Sequence, residues 1–270
     1  MARLVALGLV LFLAIALTMS LFQDRAIFPT HLVGQPGPLP AGTQRLSIRT
    51  ADGDKLHGVH TAPRVVRPPR TLIVGFGGNG WNGEDVAAYL HDVYPEAHVV
   101  TFHYRGYRPS TGRPSAKALL ADAPAVFDAA VERVKPQLTV AVGFSIGSAV
   151  AASLAKRREL DGLILVTPFD SLKAVAEGYY PWLPVGMLFR HEMNAVESLE
   201  ASDVPVALIA GERDDLIPPE RTAALRRHVP NLVFDRTVAG AGHNDIYQRP
   251  EFRETMHGAL AKFRRRPKSS

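Results

Sequence analysis

The feature that most restricts how this chain folds is an alternation that begins near residue 71. Short runs rich in apolar residues at 71–76, 97–102, 138–142, 163–166, 206–210 and 232–238 are separated by segments with helical spacing at 84–93, 115–134, 145–158, 219–228 and 251–263. Runs of four to seven apolar residues without in/out alternation read as strands buried on both faces. Strands that alternate with helices build a mostly parallel central sheet with helices on both faces. Ahead of them, residues 44–50 and 55–61 alternate apolar and polar side chains around Ala51-Asp52-Gly53-Asp54, the pattern of an antiparallel hairpin. One interval breaks the rhythm. Residues 168–203 are too long for a simple strand-to-helix link and carry Tyr179, Tyr180, Trp182, Leu183, Met187 and Phe189, which predicts a small cap inserted over the sheet. At 270 residues the chain is long enough to bury the core of one such domain.

The N-terminus is different in kind. Residues 4–22 carry no charge, and as a helix they would span about 28 Å, close to the roughly 30 Å of a bilayer's hydrocarbon core. A helix apolar on every side is a membrane anchor, a cleaved signal peptide or a fully buried element. Cleavage after Ala14-Ile15-Ala16 would leave residues 17–22 as an apolar overhang, so retention as an anchor is the expectation, with secretion after signal cleavage as the alternative. Arg3 and the terminal amine favour a cytoplasmic N-terminus and a domain outside the cytoplasm. The resulting division is an anchor over 1–25, a Pro/Gly-rich tether over 26–43, a domain over 44–264 and a basic tail over 265–270. Part of the net charge of +5 lies in or beside that tail, at Lys262, Arg264, Arg265, Arg266 and Lys268, so a nucleic-acid partner is not expected. The chain has no cysteine, which excludes disulfides, thiolate nucleophiles and cysteine-ligated metal.

The chemistry is carried by three separated stretches. The 138–142 run leads into Gly143-Phe144-Ser145-Ile146-Gly147 and then the small residues Ser148-Ala149-Val150-Ala151-Ala152, a strand, a sharp turn and a helix with a serine at the bend. Such a hydroxyl needs a base, and the base needs a partner that fixes its tautomer. His243, in Ala239-Gly240-Ala241-Gly242-His243-Asn244-Asp245 after the last strand, is the candidate base, whereas His57, His60, His103 and His228 read as ordinary polar residues. The acid lies in Gly211-Glu212-Arg213-Asp214-Asp215, at the carboxyl end of the 206–210 strand where open α/β sheets place their sites. Asp214 is favoured to face His243, and Asp215 to cap the helix that starts near Pro219. Two donors for a developing oxyanion are expected, the Ile146 N–H just after the serine and one from the loop Gly77-Gly78-Asn79-Gly80. A phosphate-binding reading of that loop is disfavoured because no lysine follows it.

Together with Tyr104-Arg105-Gly106-Tyr107, Ser110, Gly112, Pro114, Asp122-Ala123, Pro168-Phe169-Asp170-Ser171-Leu172 and Pro218, these stretches resemble the membrane-anchored α/β-hydrolases related to fungal bud-emergence hydrolases, lysophospholipase-type enzymes and acyl-protein thioesterases. The resemblance implies the α/β-hydrolase fold, a Ser145–His243–Asp214 triad and an oxyanion hole from the Asn79 and Ile146 N–H groups. It also implies ester or thioester hydrolysis with neither metal nor organic cofactor, on a small-molecule or lipid acyl substrate. Gly77 departs from the family pattern, which carries a histidine there. A non-catalytic binding protein on the same fold, and a peptidase or perhydrolase using the same three residues, are the alternatives.

Overall fold

The structure is a computed structural model and describes residues 1–264; the basic tail at 265–270 lies outside the described residues. Helix α1 (Ala2–Ile27) is long and apolar enough to cross a membrane, and only 6% of its most apolar window is buried. Residues 28–43 form no regular element but lie against the domain. Phe28 is buried in the core, the Asn82 side chain donates to the Gly34 carbonyl, and the Gly37 N–H donates to Asp85.

The expected hairpin is strands β1 (Gln44–Arg49) and β2 (Lys55–Thr61), antiparallel and in register from Gln44 opposite His60 to Arg49 opposite Lys55. Then follow β3 (Thr71–Phe76), α2 (Gly83–Val93), β4 (His98–Phe102), α3 (Ala116–Val134), β5 (Leu138–Phe144), α4 (Ile146–Ala155) and β6 (Gly162–Val166). After the insertion come β7 (Val206–Gly211), α8 (Pro219–Arg226), β8 (Leu232–Val238) and α9 (Pro250–Arg264), with the insertion's helices α5 to α7 described below. The sheet has eight strands in the order β1-β2-β4-β3-β5-β6-β7-β8; β2 runs antiparallel to β4, and β3 to β8 run parallel.

Strand periodicity divides the core into two layers. Leu72 and Val74 of β3 face Leu119, Ala123 and Val126 of α3 together with Ala149 and Val150 of α4. Ile73, between them, faces the other way toward Val86 and Leu90 of α2 and Phe252 and Met256 of α9. The central strands are buried on both sides, which is why they read as unbroken apolar runs. Ser115 begins α3 as its N-cap, its hydroxyl accepting from the Ala118 N–H.

Residues 168–203 hold three short helices, α5 (Leu172–Tyr179), α6 (Val185–Leu188) and α7 (Ala195–Glu200). A single bridge between Ser171 and Asn194 closes the excursion, so the segment standing over the sheet is 172–193, while Ala195 and Leu199 of α7 are packed in the core.

A buried imidazole and its half-buried neighbour give the fold a pH dependence. On the neighbouring strands β2 and β4, His60 Nε2 lies 3.0 Å from His98 Nδ1. Burial lowers both, with His60 held at about 4 against an ordinary 6.5 and the neighbouring His98 adding to the effect. The unfolded chain binds protons below 6.5 that the folded chain takes up only near 4. Stability is therefore full above the first value and falls as pH drops through that window, by on the order of 2 kcal/mol for this residue. Thermal unfolding from pH 7 to pH 4.5 is expected to show a declining Tm, and His60→Gln is expected to make the decline shallower.

Candidate active site

Four strand ends supply the site. β5 runs through Gly143 and Phe144, and Ser145 follows with φ 50° and ψ −118° before α4 begins at Ile146. That conformation is costly for a residue with a Cβ, and it persists because the strand ahead and the helix behind both fix it. The turn also needs close backbones. A Cβ on Gly147 would collide with the carbonyls of Phe76 and Gly77, and one on Gly143 with the carbonyl of Gly147. Gly147→Ala is thus expected to destabilise the protein by at least about 2 kcal/mol, whereas Gly80→Ala, which meets nothing within 4 Å, should leave the denaturation midpoint nearly unchanged.

The three side chains singled out in the sequence meet. His243 Nε2 lies 3.0 Å from Ser145 Oγ, and His243 Nδ1 lies 2.8 and 3.0 Å from the two carboxylate oxygens of Asp214. All three residues are buried. In the tautomer with its proton on Nδ1, His243 donates to Asp214 and accepts from the Ser145 hydroxyl through Nε2. Asp214 is held in turn by the N–H groups of Leu216 and Ile217, which donate to Oδ1 at 3.0 and 2.7 Å. Asp215 is exposed and turned away, and only its backbone carbonyl, which accepts from the Tyr179 hydroxyl, is tied to the cap. The expected capping role of Asp215 is not found. α8 starts with Pro218 at its N-cap, a residue without a side-chain acceptor; Pro219 at the first helical position has no N–H to leave unpaired, and the Arg221 N–H donates to the Pro218 carbonyl.

Of the two expected oxyanion donors, Ile146 opens α4, where its N–H is one of those that a helix leaves unpaired in its first turn. The second is expected from a loop in which three successive carbonyls are tied. Gly77 O accepts from the Tyr104 hydroxyl at 2.9 Å, Gly78 O from the Trp81 N–H at 3.2 Å and Asn79 O from the Tyr107 hydroxyl at 2.9 Å. Because the N–H of a trans peptide points opposite to its carbonyl, pinning the Gly78 carbonyl also aims the Asn79 N–H. No acceptor among the described residues takes that N–H. The loop passes directly beside the serine, since a Cβ on Gly78 would sit 3.7 Å from Ser145 Cβ.

Sequence reasoning marked Tyr104, Arg105, Tyr107 and Asp122 without a task for them. Their task is support. Arg105 bonds both oxygens of buried Asp122 at 2.7 Å through Nε and Nη2, and its Nη1 reaches Asp52 and Asp54 in the hairpin turn. Burial raises Asp122, while the Arg105 guanidinium lowers exposed Asp52 to about 2. This ion cluster fixes the segment that carries Tyr104 and Tyr107, and a tyrosine-bearing run just after a strand end was the available signal. Among the described residues, no group of three His, Asp or Glu side chains is arranged to hold a metal ion.

A family model described as alpha/beta hydrolase fold matches residues 72–194. An uncharacterized protein of Mycobacterium tuberculosis is 35% identical over 216 residues, which cover 77% of this chain and 74% of its own length. Lysophosphatidylserine lipase ABHD12 of Danio rerio is 25% identical over 225 residues, covering 71% of this chain and 57% of that protein. Among solved structures, an esterase of Pyrococcus furiosus superposes with a TM-score of 0.68 at 19% identity, over 86% of this chain and 95% of the esterase. At that identity the superposition speaks for the fold.

Proposed function

This chain belongs to the α/β-hydrolase family, and on that premise we propose that it is a serine hydrolase of carboxylic esters or thioesters. Ser145 is its nucleophile, His243 its base, Asp214 the carboxylate that orients the base, and the N–H groups of Asn79 and Ile146 its oxyanion hole. The observation that carries the proposal is the unbroken line from Asp214 through both nitrogens of His243 to a hydroxyl held on a strained turn. Ser145 Oγ bonds to the acyl carbon as its proton passes to His243 Nε2, and the carbonyl electrons move onto the oxygen facing the two N–H groups. Collapse breaks the bond to the alcohol or thiol, which leaves with the proton from His243. Water then repeats the sequence on the acyl-enzyme, releasing a carboxylic acid and restoring the serine. The residues present need no metal or organic cofactor for these steps.

Within the family we place the chain with the membrane-anchored branch related to bud-emergence hydrolases, held by α1 with its domain outside the cytoplasm and acting on lipid or other acyl substrates. The test is turnover of p-nitrophenyl esters, acyl-thioesters and lysophospholipids by the purified full-length protein. Hydrolysis in at least one of these classes, lost in Ser145→Ala, is expected; folded protein inert toward all of them would overturn the proposal. Tyr107→Phe, which loosens the Asn79–Gly80 peptide but leaves the Gly78 carbonyl that aims the Asn79 N–H held by Trp81, is expected to lower kcat by no more than about tenfold while KM stays within about twofold. Measuring Tm alongside separates that loss from a change in folded fraction.

A further inference from the structure

The end of α1 does not stand clear of the domain; it docks on the cap beside the active site. Gln23 is buried, and its amide bridges the two elements, with Nε2 donating to the Leu188 carbonyl and Oε1 accepting from the Arg190 N–H. Asp24 Oδ1 lies 2.7 Å from His191 Nε2 and 3.2 Å from Arg190 Nη2. Farther along the helix, Phe12 meets Trp182 edge to face at 6.4 Å. The last helical carbonyl, that of Ile27, accepts from the side-chain amide of Asn79 at 3.1 Å. The transmembrane-length helix is therefore bonded to the same loop that lies against Ser145.

Between α1 and the cap is a cavity of about 250 Å³, walled on one side by Met19, Phe22 and Ile27 and on the other by Ala176, Leu183 and Phe189. Gln23 also borders it, but the amide is spent on the Leu188 and Arg190 backbone, so it offers the cavity little polarity. With a lining that is mainly apolar, the cavity favours apolar matter over polar ligands. Its volume falls below the roughly 300 to 1,000 Å³ of sites for compact drug-sized ligands, and suits one chain of methylenes. Around it the cap exposes Tyr179, Tyr180, Trp182 and Met187, a cluster of the kind that sits at a membrane surface. Ile27 lines the cavity and its carbonyl accepts from the Asn79 side chain, so the cavity adjoins the loop that lies against Ser145.

We propose that this cavity is the acyl-chain site of the Ser145 centre, with the membrane helix itself as one wall, and that its ligand is the unbranched acyl chain of a bilayer lipid. The inference rests on the hydrolase reading above, and its test separates the two. Full-length protein in phosphatidylcholine vesicles is treated with a dodecyl fluorophosphonate bearing a terminal diazirine, then irradiated, digested and mapped by mass spectrometry. The expected result is an adduct on Ser145 whose chain end is crosslinked within residues 19–27 or 176–189. An adduct on Ser145 crosslinked only elsewhere overturns the acyl site and leaves the hydrolase reading standing. No adduct on Ser145 overturns both. Independently, Ala26→Trp and Ala176→Trp, which fill the cavity from opposite walls, are expected to lower the ratio of kcat/KM for p-nitrophenyl laurate to that for the acetate about tenfold each. An unchanged ratio in both would contradict the proposal.

Discussion

Replacing Ser145 with alanine is expected to lower kcat for a short ester such as p-nitrophenyl butyrate by about 10⁴-fold or more, with little change in Tm. The size of the effect follows from covalent catalysis. Without Oγ the acyl group has nowhere to be transferred, and the oxyanion donors and binding contacts retain only a small remainder of the acceleration. The stability forecast follows from the conformation, because Ser145 holds φ 50° through its flanking strand and helix, not through its hydroxyl. His243 Nε2 would lose a hydrogen-bond partner, at a cost of about 1 kcal/mol. A butyrate esterase activity that survived intact in this variant would place the chemistry elsewhere on the molecule.

Asp214→Asn and Asp215→Asn should differ by orders of magnitude although the residues are neighbours. Asp214 accepts from His243 Nδ1 and from two backbone N–H groups, and an asparagine there retains the shape while presenting an amide that favours the wrong imidazole tautomer. A loss of about 10³- to 10⁴-fold in kcat is expected. Asp215, exposed and joined to the cap through its backbone carbonyl alone, should tolerate the same change within about twofold. Comparable losses in the two variants would mean that the carboxylate pairing seen here is not the one used in turnover.

The sheet was legible because buried parallel strands write themselves as apolar runs, as the 71–76 run does in β3; the 232–238 run coincides with β8, but that strand lies at the sheet edge, largely half-buried to exposed, and not buried on both faces as its sequence suggested. The end of β5 was misread. A glycine inside a G-x-S-x-G pattern signals a turn, yet Gly143 is still paired with Leu165 on one side and Phe76 on the other, so the strand continues to Phe144. At the candidate site, Ser145 and His243 stood out by local context, a strand-to-helix bend and a glycine-rich loop. Asp214 is the aspartate that lies against His243, but a dipeptide of identical residues carries no direction, and only the fold orients it. The docking of α1 was not legible at all. Gln23 and Leu188 are 165 positions apart, and an apolar N-terminal helix reads the same whether it stands alone in lipid or closes a cavity. The hydroxyls of Tyr104 and Tyr107 were hidden for the same reason, since their partners are backbone carbonyls and no residue type announces those.

The most direct test of the central claim is the site of covalent capture. Wild-type protein and a His243→Ala variant are treated with a small fluorophosphonate and the adduct is located by peptide mass spectrometry. The account expects rapid, single modification of the wild type at Ser145 and slowing by at least about 10²-fold without the imidazole. Equal labelling rates in the two proteins, or an adduct on a different residue, would contradict it.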